Sequence, residues 1–157
     1  MRSENSLSGL CPGRITFRVT SGYELFDHTA DLGIRGFGRT SAEIVEAMTA
    51  GFYAAVGGLA LREGGETCRV TVAGDDEAVL LRDYLAVLLL RLERQLQVLK
   101  IDRVVRFGGG ELSVEGTWRE VDEGRSEFLR EVKAITYHEL SLVRMDQGYE
   151  ARVIVDI

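Results

Sequence analysis

The sequence predicts an α+β fold: a single compact domain in which mixed, mostly antiparallel sheets pack with two main helices. Three observations carry this expectation. Two stretches repeat apolar residues at helical spacing, each behind an N-capping residue. Shorter alternating or apolar stretches are separated by glycine turns, as hairpins require. A chain of 157 residues, 45% hydrophobic and 28% charged, suffices for one sizeable core but not comfortably for two.

The elements follow in chain order. Residues 1–22 are rich in Ser, Gly and Arg and are expected to form a flexible N-terminal extension, with Met1 to Pro12 disordered and Ile15 to Thr20 an edge strand. Glu24 to Phe26 and Leu32 to Phe37 predict strands on either side of a polar turn. Gly36-Phe37-Gly38 stands where a dinucleotide fingerprint would begin, but the third glycine position is Ser41 and no βαβ unit surrounds it. The glycines are instead expected to shape a tight turn into a helix. That helix opens with a capping box, Thr40 and Glu43, and puts Ile44, Ala47, Met48, Phe52, Ala55 and Val56 on one face before Gly57-Gly58 ends it.

Cys68 to Ala73 alternates Val70 and Val72 with Arg69 and Thr71, a half-buried strand. Gly74-Asp75-Asp76-Glu77 lacks the alternating acids of a calcium loop, and its acids suit the N-terminus of a second helix. That helix is expected from Glu77 to about Val98, with an apolar arc wide enough for a central packing element. Lys100 to Phe107 and Glu111 to Trp118 predict a hairpin around three glycines, and Arg119 to Arg130 a loop. Glu131 to Leu140 alternates as a strand, and Leu142 to Met145 with Tyr149 to Val155 form a last hairpin.

Composition narrows the function. A formal net charge of −6 argues against a non-specific nucleic-acid binder and suits a metal site or a basic protein partner. The most apolar run, Ala78 to Leu92, is interrupted by Arg82, Asp83 and Arg91, so no membrane span is expected. Cys11 and Cys68 form no paired motif, which points to a reducing compartment, the cytoplasm. No GxSxG is present, and neither cysteine neighbours a histidine in a recognisable motif.

The chemistry concentrates in a few polar groups within apolar contexts. Asp27, His28 and Asp31 crowd the first hairpin, Lys133 and His138 lie in an apolar stretch, and Asp156 ends the strand Val153-Ile154-Val155. Carboxylates among apolar neighbours need a cation or hydrogen-bond donors. If the last strand ends beside the first hairpin, Asp31, Asp156 and the terminal carboxylate of Ile157 could bind a hard divalent cation, Ca²⁺, Mg²⁺ or Mn²⁺. The alternatives are structural: Asp27 and Asp31 as turn caps, His28 as a satisfied imidazole, Asp156 as a solvated strand-end acid. A His28/Asp31 acid–base pair in a stand-alone metal-dependent hydrolase, and a general chaperone with the wide helix stripe as client surface, are the competing functional classes.

Asp27-His28-Thr29-Ala30-Asp31 with Gly33-Ile34, then Lys133-Ala134-Ile135-Thr136-Tyr137-His138, then the closing Asp156-Ile157, occur in an order and spacing that resemble the archease family. The resemblance covers residues 23–157 as an archease-like domain. It implies a protein cofactor, not itself an enzyme, that activates an RtcB-type RNA ligase by promoting its GTP-dependent guanylylation and multiple turnover, in tRNA splicing or RNA repair. RNA and GTP would be met only through the ligase. By the same resemblance Asp31, Asp156 and Ile157 match metal ligands, for Ca²⁺ first and Mg²⁺ or Mn²⁺ as alternatives. Asp27, His28, Lys133 and His138 match residues tied to activation. Two positions depart from the family pattern: Arg39, where many members carry an acid, and Ser126, often a histidine.

Overall fold

The computed structural model describes residues 21–157, so residues 1–20 of the expected extension, with the edge strand at 15–20 and Cys11, lie outside the described residues, while Gly22 begins the first strand rather than ending the extension. Three antiparallel sheets and two helices form the domain. The largest sheet runs β1 (Gly22–His28), β2 (Asp31–Gly38), β10 (Gly148–Asp156), β8 (Ala134–Ile135), with β9 (Ser141–Met145) also paired to β10. The second sheet runs β4 (Glu66–Ala73), β6 (Glu111–Glu120), β5 (Gln97–Gly108), and the third pairs β3 (Gly57–Gly58) with β7 (Glu127–Phe128).

Both helices bridge the two larger sheets. Helix α1 (Ser41–Val56) packs on β1, β2 and β10 and reaches β5, while α2 (Glu77–Gln95) packs on β4, β5, β6, β8 and β9. The core lies along this bridge, with Ile34, Phe52, Tyr84, Leu85, Leu112 and Val153 at or near zero exposure. Burying such a side chain contributes roughly 1.5–3 kcal/mol, which is why the helices, not the sheet edges, anchor the architecture. The two buried hydroxyls between the helices satisfy each other: Thr49 and Tyr84 are 2.9 Å apart, and Thr49 Oγ1 lies 2.7 Å from the Val45 carbonyl. Burial pushes the Tyr84 phenol well up.

The helix starts behave as their sequences require. Thr40 Oγ1 accepts from Glu43 N–H at 3.1 Å, and Asp76 Oδ1 accepts from Val79 N–H at 3.1 Å. The reciprocal half of the first capping box reaches one residue further back, with Arg39 N–H donating to Glu43 at 2.7 Å. This carboxylate is held below its usual range, chiefly by that bond.

Four expectations need correction. Gly36 and Gly38 do not make a turn; they lie inside β2, where a Cβ would stand 2.5 Å from the Met48 sulfur and 2.5 Å from the Ile44 nitrogen, so their role is close approach of α1 to the strand. Helix α2 stops at Gln95, because Leu96 takes a left-handed φ of 51° and turns the chain into β5. The expected loop at 119–130 contains the end of β6, one 3₁₀ turn at Glu123–Arg125, and β7. The expected strand at 131–140 shrinks to Ala134–Ile135: Val132 and Ile135 are both buried, which breaks strict alternation, and the chain then folds across the sheet.

Candidate functional site

The five-stranded sheet has an inner face against α1 and an outer face away from it. The close contact of Gly36 with Met48 puts Leu32, Ile34 and Gly36 on the inner face. Gly33 faces the other way, where its missing Cβ leaves room for the Phe26 ring. Asp31, Gly33 and Arg35 therefore share the outer face. Register extends the row across the sheet: His28 stands opposite Asp31, and Asp156 opposite Ala134. Strands β2 and β10 pair as far as Val155 opposite Leu32, so one further step brings Asp156 level with Asp31. The fold thus gathers His28, Asp31, Asp156 and the chain end at one edge of one sheet.

Lys133 joins that edge through its backbone, its N–H donating to the Asp156 carbonyl at 2.8 Å, and its side chain is exposed. Asp27 behaves differently. It pairs with Leu32 and so lies on the inner-face side of the strand, exposed and turned away from His28 and Asp31. Asp27 and His28 end β1, and Asp31 begins β2. The turn proper is only Thr29-Ala30, with Thr29 at φ 51°, a strained conformation for a β-branched residue.

His138 lies not in a strand but in a segment, Thr136 to Leu140, that crosses the outer face. Its course is fixed by hydrogen bonds: Thr136 Oγ1 donates to the Ile154 carbonyl at 2.7 Å, and Arg82 of α2 donates to the Ile135 carbonyl at 2.9 Å. The Arg82 guanidinium also stacks on Tyr137, 4.4 Å from the ring centre. The crossing brings His138 to His28, ring centres 5.3 Å apart, and sets Glu139 at 3.2 Å from His28 Nε2. Arg152 completes the group, 3.8 Å from the Glu139 carboxylate and 4.6 Å above the Phe26 ring. Ile154 is fully buried beneath it, outside the main core.

The hydrogen bonding here is incomplete. His28 Nδ1 and Arg152 Nε are buried with no partner. Such groups cost about 1–3 kcal/mol each, so their clustering at one place is informative. Among the described residues no ion pair engages the Asp31 or Asp156 carboxylates, both half-buried. Two such acids offer oxygen donors only, the ligand type that hard divalent cations take.

The two departures from the family pattern have local structural roles. Arg39, at the far end of β2 from Asp31, bonds Glu43 at the start of α1. Ser126 Oγ donates to the Asp122 carbonyl at 2.6 Å and accepts from Ala60 N–H at 2.9 Å, fastening two loops together. Glu139 and Arg152 are the residues sequence reasoning missed. Arg152, a charge directly before the apolar run Val153-Ile154-Val155, carried a signal that could have found it; Glu139 had only its place beside His138.

The chain is similar to known proteins over most of its length. The model of the Archease protein family matches residues 23–157. Protein archease of Pyrococcus abyssi is 31% identical, over 86% of this chain and 98% of its own length. Protein archease of Methanothermobacter thermautotrophicus is 31% identical, over 87% and 99%. Among solved structures, protein 1598 of Methanobacterium thermoautotrophicum superposes with a TM-score of 0.70 at 30% identity, covering 87% of this chain and 99% of that one. An archease from Thermotoga maritima, described as a possible chaperone, shares the fold with a TM-score of 0.57 at 21% identity, over 84% and 94%.

Proposed function

This chain belongs to the archease family, and from that premise we propose that it is an activator of an RtcB-type RNA ligase rather than an enzyme in its own right. In this reading it promotes guanylylation of the ligase by GTP and its repeated turnover, in tRNA splicing or RNA repair. The observation that supports it best is the register of β1, β2 and β10, which brings Asp31, Asp156 and the chain end to one edge beside Lys133. Asp31, Asp156 and the Ile157 carboxylate would hold a divalent cation, Ca²⁺ first among candidates and Mg²⁺ or Mn²⁺ next. When bound, that cation supplies charge neutralisation for phosphates. The chain's own contribution is an acidic edge, on a protein of net charge −6, that can enter a cationic cleft of the ligase. Lys133, exposed at the same edge, offers a counter-charge for phosphate or for a ligase carboxylate.

The test is multiple-turnover ligation by a cognate ligase, with GTP and Mn²⁺, in the presence and absence of this protein. Turnover should rise with wild type and fall to the activator-free level with Asp31→Ala. Full activation by folded Asp31→Ala would sink the proposal.

One observation favours a second reading. An apolar groove of about 370 Å³ lies between α2 and residues 128–132, lined by Val56, Leu89, Leu92 and Leu129 among others. Phe128 and Leu129 beside it are 46% and 56% exposed. A chaperone would use such a surface for clients. Suppression of aggregation of unrelated proteins, lost in Leu129→Asp but kept in Asp31→Ala, would favour that reading.

A further inference from the structure

The sequence has two histidines, one near each end of the described chain, and the fold stacks them 5.3 Å apart with Glu139 against one of them. We propose that His28, His138 and Glu139 form a second cation site, one for a divalent transition ion of the Zn²⁺ class, beside the oxygen-only acids Asp31 and Asp156. The proposal goes beyond the activator reading and does not depend on it.

The donor geometry fits such an ion. One ligating atom from each of the three side chains lies within 4.8 Å of the others. Zn²⁺ binds imidazole nitrogen and carboxylate oxygen at about 2.0–2.1 Å, so two ligands on a tetrahedral ion stand about 3.3 Å apart. His28 Nε2 and Glu139 Oε2 are 3.2 Å apart. An ion taking the place of the proton between them would reach both with little movement.

The donor chemistry selects the ion. Two imidazoles and a carboxylate suit Zn²⁺, Fe²⁺, Ni²⁺ or Cu²⁺, whereas an oxygen-only set suits Ca²⁺, Mg²⁺ or Mn²⁺. The same edge would therefore sort two classes of cation. Three protein ligands leave a fourth position, and it faces solvent, because His138 and Glu139 are exposed while His28 is half-buried.

The surroundings support the pairing of the two rings. His28 Nδ1 is buried without a partner, so among the described residues the ring is held through its other nitrogen alone. Glu139 takes a left-handed φ of 51°, and the strained turn Thr29 follows His28 directly. Backbone strain of this kind persists where the surrounding structure over-determines it. Arg152 opposes the ion: its guanidinium lies 3.8 Å from the Glu139 carboxylate and would repel a cation there. The site is thus tuned below its full affinity by a neighbour on β10.

Tag-free full-length protein titrated with Zn²⁺ by calorimetry tests this directly. Wild type and Asp31→Asn should each bind one equivalent at the site. His28→Gln, His138→Gln and Glu139→Gln should each weaken that event by at least about 10-fold. Arg152→Met keeps the apolar stem over Phe26 and should tighten binding by about 2- to 5-fold, the range set by a half-exposed charge contact. Co²⁺ in place of Zn²⁺ should give visible absorption of a tetrahedral site in wild type and lose it in His138→Gln. The exposed positions 138 and 139 keep the test valid even if the His28 variant folds poorly. Absence of Zn²⁺ binding, binding unchanged in both His138→Gln and Glu139→Gln, or binding lost in Asp31→Asn but kept in His138→Gln would overturn the proposal. None of these measurements involves the ligase, so a failed activation assay leaves the cation site untouched.

Discussion

Two regions of exposed charge on this domain are built from the same strand geometry and come to opposite ends. On the outer face of the three-stranded sheet, Glu115 of β6 stands between Arg69 of β4 and Arg103 of β5, paired across strands and bonded to both. Midway along the five-stranded sheet, Arg35 likewise bonds Glu24 at 3.0 Å and Glu150 at 2.7 Å, the Glu150 bond being the main reason its guanidinium holds its proton more tightly than usual. At the hairpin edge of that same sheet the pattern stops. There two histidines, two acids without described ion pairs and a buried guanidinium nitrogen without a partner are collected within a few residues. Charges that complete one another within a sheet serve the sheet. Charges gathered with bonding capacity to spare are equipped to meet something else.

The largest expected effect pits one region against the other. Asp31→Asn should remove ligase activation, whereas Arg35→Met, two positions past Gly33 on the same outer face, should leave activation intact and cost under about 1 kcal/mol, since its ion pairs are half-exposed. Equal loss of activation in both, measured at equal folded fraction, would erase the distinction between ladder and edge.

The next tests whether the edge depends on packing beneath it. Gly33→Ala places a Cβ 2.1 Å from the Phe26 ring, on which Arg152 stacks. The ring must shift, and thermal or urea unfolding should show a loss of about 1–3 kcal/mol. No measurable loss would mean that the outer layer is looser than its geometry indicates.

A smaller change should go the other way. Thr29→Gly removes a β-branched residue from a positive φ of 51° and should stabilise the hairpin by about 1 kcal/mol by urea unfolding. A loss instead would show that the Thr29 side chain makes a compensating contact.

The smallest effect is expected in the three-stranded sheet and concerns pH. Glu115 is held below its usual carboxylate range, first by its bond to Arg69. A lowered folded pKa contributes stability above the unfolded value of about 4.5, lost as pH falls from there through the folded value. Unfolding midpoints of Glu115→Gln should therefore approach those of wild type as pH drops below that range, and lie slightly lower at neutral pH. A wild-type advantage that grows on acidification would reverse the assignment.

The elements whose signals are local were legible in the residues themselves. The caps Thr40 and Asp76, the glycine punctuation and the alternation of β4 depend on neighbours a few residues away, and they predicted two helices and antiparallel hairpins. The sequence also marked Asp31, His28, His138 and Asp156 as polar groups in apolar company. Only tertiary structure decided which of them meet. The β2–β10 register levels Asp156 with Asp31, and the same strand pleat turns Asp27 to the other face although it adjoins His28 in sequence. The crossing of Thr136 to Leu140 over the sheet makes neighbours of His28, His138 and Glu139. The physical reason is range: capping and side-chain periodicity act over a few residues. Strand register is set instead by matching two hydrophobic faces across the whole chain, and a shift of one residue would exchange every inner side chain for an outer one.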